Sequence, residues 1–359
     1  MSEQTDILFE RRGELGQVTL NRPAALNALT LDMAIALDRQ LHAWEADPKV
    51  KAVLIQGAGE RAFCAGGDVR RLFEAGRAGE RYPYDFYRHE YRLNARIHRF
   101  PKPYVALMDG IVMGGGVGLS VHGGFRVAGE RTLFAMPETG IGLFPDVGGS
   151  YFLSRLPDAL GMFLALTGTR LKAADAVAAG VCDFHVPGER RPTLLAALAA
   201  ADLGGNARAK VDALLRPFAA DPGPAPLAPH RAVIAQSFDK DSVEAILAAL
   251  DGMGGEWAQA TAKTLRARSP TSLKITHRQI REGARLDFQG CMRMEYRMAA
   301  ACTVGHDFYE GVRATVIDKD NAPRWHPASL SEVGPEVVAR HFEVPPPGGD
   351  LTFPEQPAE

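Results

Sequence analysis

At 359 residues, 46% of them hydrophobic and 23% charged, the chain can bury a sizeable core in one large domain or two. A formal net charge of −2 gives no reason to expect nucleic acid or an anionic membrane as partner. Cys64, Cys182, Cys291 and Cys302 are far apart and form no CxxC pair, which suits reduced structural thiols. No apolar run reaches the roughly 18 residues of a membrane span. The polar start Met1-Ser-Glu-Gln-Thr-Asp6 has neither a signal core nor an Arg-rich presequence, so a cytoplasmic protein is expected.

In chain order, Gln17–Leu20 reads as a strand, and Thr30 as the N-cap of an amphipathic helix carrying Leu31, Ile35, Leu37, Leu41 and Trp44. Lys51–Gln56 and Pro103–Met108 are buried-type strands, followed by Phe125–Ala128 and Thr132–Ala135. Glycine turns at Ala65-Gly-Gly-Asp68 and Met113-Gly-Gly-Gly116 sit between strand and helix, so the class is α/β. From about residue 158 helical patterns take over: 159–166, 173–179, 194–215, 243–250, 257–268, 271–282 and 288–303, with Thr271 or Ser272 as a cap. Pro217 to Pro229 reads as a Pro-rich linker. The Pro/Gly-rich tail after Pro345 is expected to be flexible.

The stretch Phe134-Ala-Met-Pro-Glu-Thr-Gly-Ile-Gly-Leu-Phe-Pro-Asp-Val-Gly-Gly149 carries the most chemistry. Glu138 and Asp146 both stand in apolar, Pro/Gly-shaped sequence, and desolvation there raises a carboxylate toward the range of acid–base or nucleophilic work. Backbone N–H groups of the two glycine turns could bind an oxyanion, although either turn alone suits tight packing as well. Glu90, flanked by Arg88 and Arg92 on a helix, reads from spacing alone as a surface ion pair. The ten histidines show no HxxxH or HExxH, so no metal site is expected. Neither a GxSxG elbow nor a P-loop is present.

These segments, in their order, resemble the enoyl-CoA hydratase/isomerase (crotonase) superfamily from about Ile7 to about Pro327, and most closely its 3-hydroxyisobutyryl-CoA hydrolase branch. Asn21-Arg-Pro23 with Leu26–Leu29, Ala62-Phe-Cys-Ala-Gly-Gly-Asp68 and Met113–His122 match superfamily-wide patterns. Phe134–Ser150, Ser269-Pro-Thr-Ser-Leu-Lys-Ile-Thr276 and Gly305-His-Asp-Phe308 match the branch.

The resemblance implies a spiral of ββα turns over residues 1–190 and a helical insertion with the Pro-rich linker over 191–240. A C-terminal helical region over 241–345 and a flexible tail over 346–359 follow. It implies that the Gly67 and Gly115 amides hold a thioester oxygen. Crotonase hydratases use two glutamates; one matches Glu138, but the other falls on Gly118, which has no side chain. Branch members pair the glutamate with an aspartate at Asp146 and carry a glutamate at Glu90, lining the substrate site. Substrate contacts are therefore expected at Glu90, Gly115, Glu138 and Asp146. The implied activity is hydrolysis of a β-hydroxyacyl-CoA in valine catabolism, without cofactor. An enoyl-CoA hydratase/isomerase and a non-catalytic acyl-CoA-binding protein are the alternatives. A homo-oligomer is left open. Arg22, Lys102 and Lys274 are candidates for gripping the CoA nucleotide, with solvated surface positions as the alternative.

Overall fold

The computed structural model describes residues 5–343 and 346–353. They form two compact units. The first runs to Asp68 and includes Arg96–Ala135 and Arg170–Pro229; the second holds Val69–Ala95, Met136–Thr169 and the chain from His230 onward.

The described residues of the first unit form strands β1 Ile7–Arg12, β2 Leu15–Leu20, β3 Ala52–Gly57, β4 Ala62–Cys64, β5 Tyr104–Met108, β6 Ile111–Met113, β7 Phe125–Ala128, β8 Leu133–Ala135, β9 Leu171–Lys172 and β10 Phe184–His185. From β3 to β8 the chain lays strands alternately into two sheets, ordered β1-β2-β3-β5-β7-β10 and β4-β6-β8-β9. This alternation is the spiral of ββα turns. Among the described residues, β1 with β2 and β8 with β9 pair antiparallel. The pairings β2–β3, β3–β5 and β5–β7 are all parallel, for example with Val105 opposite Phe125.

Alternate residues of the larger sheet (Ala52 and Leu54, Val105 and Leu107, Phe125 and Val127) bury one face against Leu194, Leu198, Val211 and Leu215. Those four leucines and valines sit on helices Arg191–Ala200 and Ala207–Leu215, which the sequence pattern ran together. Asp202, Gly204 and Gly205 separate them, with Gly205 at φ 74. The expected insertion thus completes the core of the first unit up to Pro229, where the chain passes to the second. Helix Leu31–Ala46 starts at Thr30, whose Oγ1 accepts from Met33 N at 3.2 Å. It packs on β2, where a Cβ on Gly16 would meet the Trp44 ring at 2.8 Å.

The second unit is helical. Phe163 on Leu160–Thr167 makes edge contact with Phe238 at 5.2 Å and packs on Trp257 at 5.7 Å. Helix Pro270–Gly283 is capped by Ser269, whose Oγ accepts from Ser272 N at 3.0 Å, and not by Thr271 or Ser272 as expected. Pro270 lacks an N–H and has a helical φ, so it takes the first helical position and moves the cap one residue back.

Residues 346–353, expected in a flexible tail, are tied to this unit. Arg88 donates to the Gly349 carbonyl at 3.0 Å, Arg92 to that of Thr352 at 2.8 Å, and Arg297 pairs with Asp350 at 3.0 Å. Leu351 is buried. The remainder of the expected tail, 354–359, lies outside the described residues.

Candidate active site

Pro137 leads into a 3₁₀ turn, Glu138–Ile141, closed by Gly142 at φ 70, a conformation that favours glycine. The chain then reaches Asp146 and bends through two left-handed residues, Val147 at φ 51 and Gly148 at φ 86, into helix Gly149–Leu153. A β-branched residue with positive φ is strained by about 1–3 kcal/mol and needs surrounding support. Glu295, on helix Phe288–Cys302, gives that support by accepting from Gly148 N at 2.7 Å, Ser150 N at 2.9 Å and the Ser150 hydroxyl. On helix Pro270–Gly283, Gln279 Nε2 donates to the Pro145 carbonyl at 2.6 Å. Two helices thereby fix the loop that carries Asp146.

Glu138 and Asp146 are each only 4% exposed. Burial raises both, and the charge of Asp146 raises Glu138 further. Asp146 is pushed up to about 7, held from rising more by the Tyr91 hydroxyl, which donates to Oδ2 at 2.9 Å. Burial also drives Glu295 up to about 8, against its three donors. Glu138 stays well above the usual carboxylate range, and its buried Oε2 has no hydrogen-bond partner among the described residues.

Glu90 is 1% exposed, so the surface ion pair read from its neighbours is not formed. Arg88 and Arg92 point their guanidinium groups to residues 349–352 instead. Burial first, then the charges of Asp146, Glu295 and Glu138, raise the Glu90 carboxyl. The second unit therefore gathers Glu90, Glu138 and Asp146, and sets Tyr91 and Glu295, which the sequence reading did not single out, beside them. Tyr91 carried a faint signal as the chain neighbour of Glu90 on helix Tyr82–Arg99. Glu295 carried none: one acid in an ordinary amphipathic helix looks like a solvated face.

The two glycine turns abut within the first unit. Leu29 N donates to the Gly66 carbonyl at 2.8 Å, and Asp68 N to that of Leu29 at 2.9 Å, which holds Gly67 between them. Gly114, at φ 46, precedes the short helix Gly115–Gly118. A Cβ on Gly66, itself at φ 123, would lie 3.9 Å from Gly115 N. No acceptor is found for the Gly67 or Gly115 N–H among the described residues. Gly118 is buried on that helix.

The three expected CoA-gripping cations are engaged within their own units. Arg22 pairs with Asp68 at 3.2 Å, Lys102 donates to the Asp47 carbonyl at 2.8 Å, and Lys274 pairs with Glu244 at 2.7 Å.

A family model described as enoyl-CoA hydratase/isomerase matches residues 15–342. The chain is 51% identical to "3-hydroxyisobutyryl-CoA hydrolase, mitochondrial" of Danio rerio, over 94% of this chain and 89% of that protein. Its identity to the protein of that name from Homo sapiens is 47%, over 96% of this chain and 91% of that one. Among solved structures, a carnitinyl-CoA dehydratase from Mycobacterium thermoresistibile superposes with a TM-score of 0.91 at 42% identity, covering 98% of this chain and 100% of that one. An enoyl-CoA hydratase from Rhodobacter sphaeroides 2.4.1 gives 0.87 at 40% identity, covering 97% and 100%. The expectation of a cytoplasmic location is overturned, because these curated relatives carry the word mitochondrial in their names.

Proposed function

Because the chain belongs to the enoyl-CoA hydratase/isomerase family, we propose that it hydrolyses a β-hydroxyacyl-CoA thioester, with 3-hydroxyisobutyryl-CoA as the first substrate to test. The observation that carries this reading is the carboxylate pair: Glu138 with an unpartnered oxygen, and beside it in charge Asp146, oriented by Tyr91. The name shared by the relatives at 47–51% identity supports it. On that substrate the reaction belongs to valine catabolism.

In this reading the thioester oxygen accepts from the Gly67 and Gly115 amides. Attack at the carbonyl carbon gives a tetrahedral oxyanion, stabilised by about 3–4 kcal/mol per donor. Ionised Glu138 either takes the proton of the attacking water or attacks as nucleophile, forming an anhydride that water then opens. The C–S bond breaks as the oxyanion collapses, and the CoA thiolate leaves and takes up a proton. Asp146 orients the water or substrate and tunes the Glu138 proton; Glu90 contacts the substrate.

Glu138→Gln is expected to abolish thiol release from 3-hydroxyisobutyryl-CoA while leaving the thermal midpoint near that of wild type. Near wild-type turnover in this variant would sink the assignment. Single turnover in ¹⁸O-water bears on the two roles: label in Glu138 supports the anhydride, and its absence counts against it.

A hydratase reading draws on the likeness to the carnitinyl-CoA dehydratase and the enoyl-CoA hydratase above. Gly118 opposes it, since water addition to an enoyl-CoA needs a second carboxylate there. Loss of enoyl absorbance with crotonyl-CoA would favour it.

A further inference from the structure

Helix Tyr82–Arg99 sets Tyr87, Glu90, Tyr91 and Asn94 at i, i+3, i+4 and i+7, which is one face of a helix. Tyr91 on that face donates to Asp146, and the rings of Tyr87 and Tyr91 lie 5.7 Å apart. The charges of Asp146 and Glu90 bear on the Tyr87 hydroxyl, so the face is turned toward the carboxylates. Asn94 is 0% exposed, yet neither its Oδ1 nor its Nδ2 has a hydrogen-bond partner among the described residues. The Tyr87 hydroxyl and Glu90 Oε1 are also buried without one.

Buried polar groups are nearly always paired, and each one left without a partner destabilises a fold by about 1–3 kcal/mol. Four such atoms on a single helix face are expensive unless a ligand or ordered water completes them. Their chemistry is mixed: the amide and the phenol both donate and accept, and the carboxyl accepts. A hydroxyl, itself donor and acceptor, is the complementary group.

We propose that Asn94 and Tyr87 are specificity-determining residues which, together with Glu90, receive the β-hydroxyl of the acyl chain. The hydroxyl oxygen accepts from the Asn94 amide or the Tyr87 phenol, and its proton is donated to Glu90 Oε1 or Asn94 Oδ1. A thioester without that hydroxyl leaves these groups unpaired in the complex and is turned over poorly. The assignment rests on the thioester-hydrolysis reading above.

The test compares thiol release from 3-hydroxyisobutyryl-CoA and from isobutyryl-CoA, which has the same carbon skeleton without the hydroxyl. Wild type is expected to favour the hydroxylated ester by at least about tenfold in kcat/KM, as sites built to bond a hydroxyl do. Asn94→Ala should lower that ratio by about tenfold, and Tyr87→Phe by a smaller factor of roughly threefold. Tyr87→Phe removes a single oxygen from a ring packed on Phe86 and Tyr91, so it keeps the idea testable if Asn94→Ala fails to fold.

A ratio within about twofold of wild type in a folded variant overturns the proposal, and so does an equal loss on both esters, which marks a structural role. Wild type acting equally on both esters overturns it while leaving hydrolysis standing. Wild type releasing thiol from neither overturns the hydrolase reading, and this inference with it.

Discussion

Asp146 and Glu138 share burial but not environment. Tyr91 donates to Asp146, whereas Glu138 Oε2 is buried without a hydrogen-bond partner among the described residues and meets the charge of Asp146. If ionised Glu138 does the work, kcat/KM should fall as pH drops through an acid limb above the ordinary carboxylate range, because burial and then the charge of Asp146 raise Glu138. Asp146→Asn removes the like charge that raises Glu138, so the acid limb should move to lower pH even if the maximal rate falls. A pH–rate profile on thiol release checks this. A limb that stays in place, or moves upward, would assign the titration to another group. Tyr91→Phe works in the opposite sense on Asp146: losing a donor to its charged form raises it.

Among the elements, the turn that carries Glu138 depends on close backbone approach from helix His306–Val312. A Cβ on Gly311 would come within 2.4 Å of the Ile141 carbonyl carbon, and one on Gly142 within 2.1 Å of the Asp307 backbone. Backbone cannot yield as a flexible side chain can. Gly311→Ala should therefore cost about 1–3 kcal/mol of stability and misplace Glu138, lowering both the thermal midpoint and kcat. Thermal unfolding and turnover on the same preparation would show it, and unchanged values of both would refute the packing argument.

This contact also explains what the sequence could and could not disclose. Strands β2, β3, β5 and β7 of the larger sheet, the capped helix from Leu31 and the Glu138–Asp146 loop announce themselves through local pattern, because period and turn chemistry are local. The short β4, β6, β9 and β10 do not, being two or three residues long and specified by their neighbours. Glu90 misleads because Arg88 and Arg92 flank it in sequence yet bind residues 349–352, far along the chain. Glu295 is invisible until Gly148 and Ser150 are found donating to it across more than a hundred residues.

Across the whole molecule, the buried acids set how stability responds to pH. The folded state holds Asp146 at about 7 and Glu295 at about 8, above their ordinary values of 3.8 and 4.5. Below about pH 4 both states bind these protons and the two groups do not affect the balance. As pH rises, the unfolded chain releases the protons first, so the folded state loses stability until its own carboxyls ionise near pH 7 to 8. Each group contributes a slope of at most about 1.4 kcal/mol per pH unit within that window. Other groups act elsewhere. Arg313 holds Glu310 down at about 2, which matters only in acid. Burial lowers His277 and His341, and their opposite contribution is spent once pH passes the ordinary histidine value of 6.5. Between about pH 6.5 and 8.5 the buried carboxyls therefore govern the slope, and the thermal midpoint should fall across that range. Asp146→Asn cannot ionise at this position, so its midpoint should fall less steeply over the same range. Calorimetry of both proteins at matched ionic strength checks the sign, and a wild-type midpoint that rises with pH would mean that these carboxyls are already charged in the folded state.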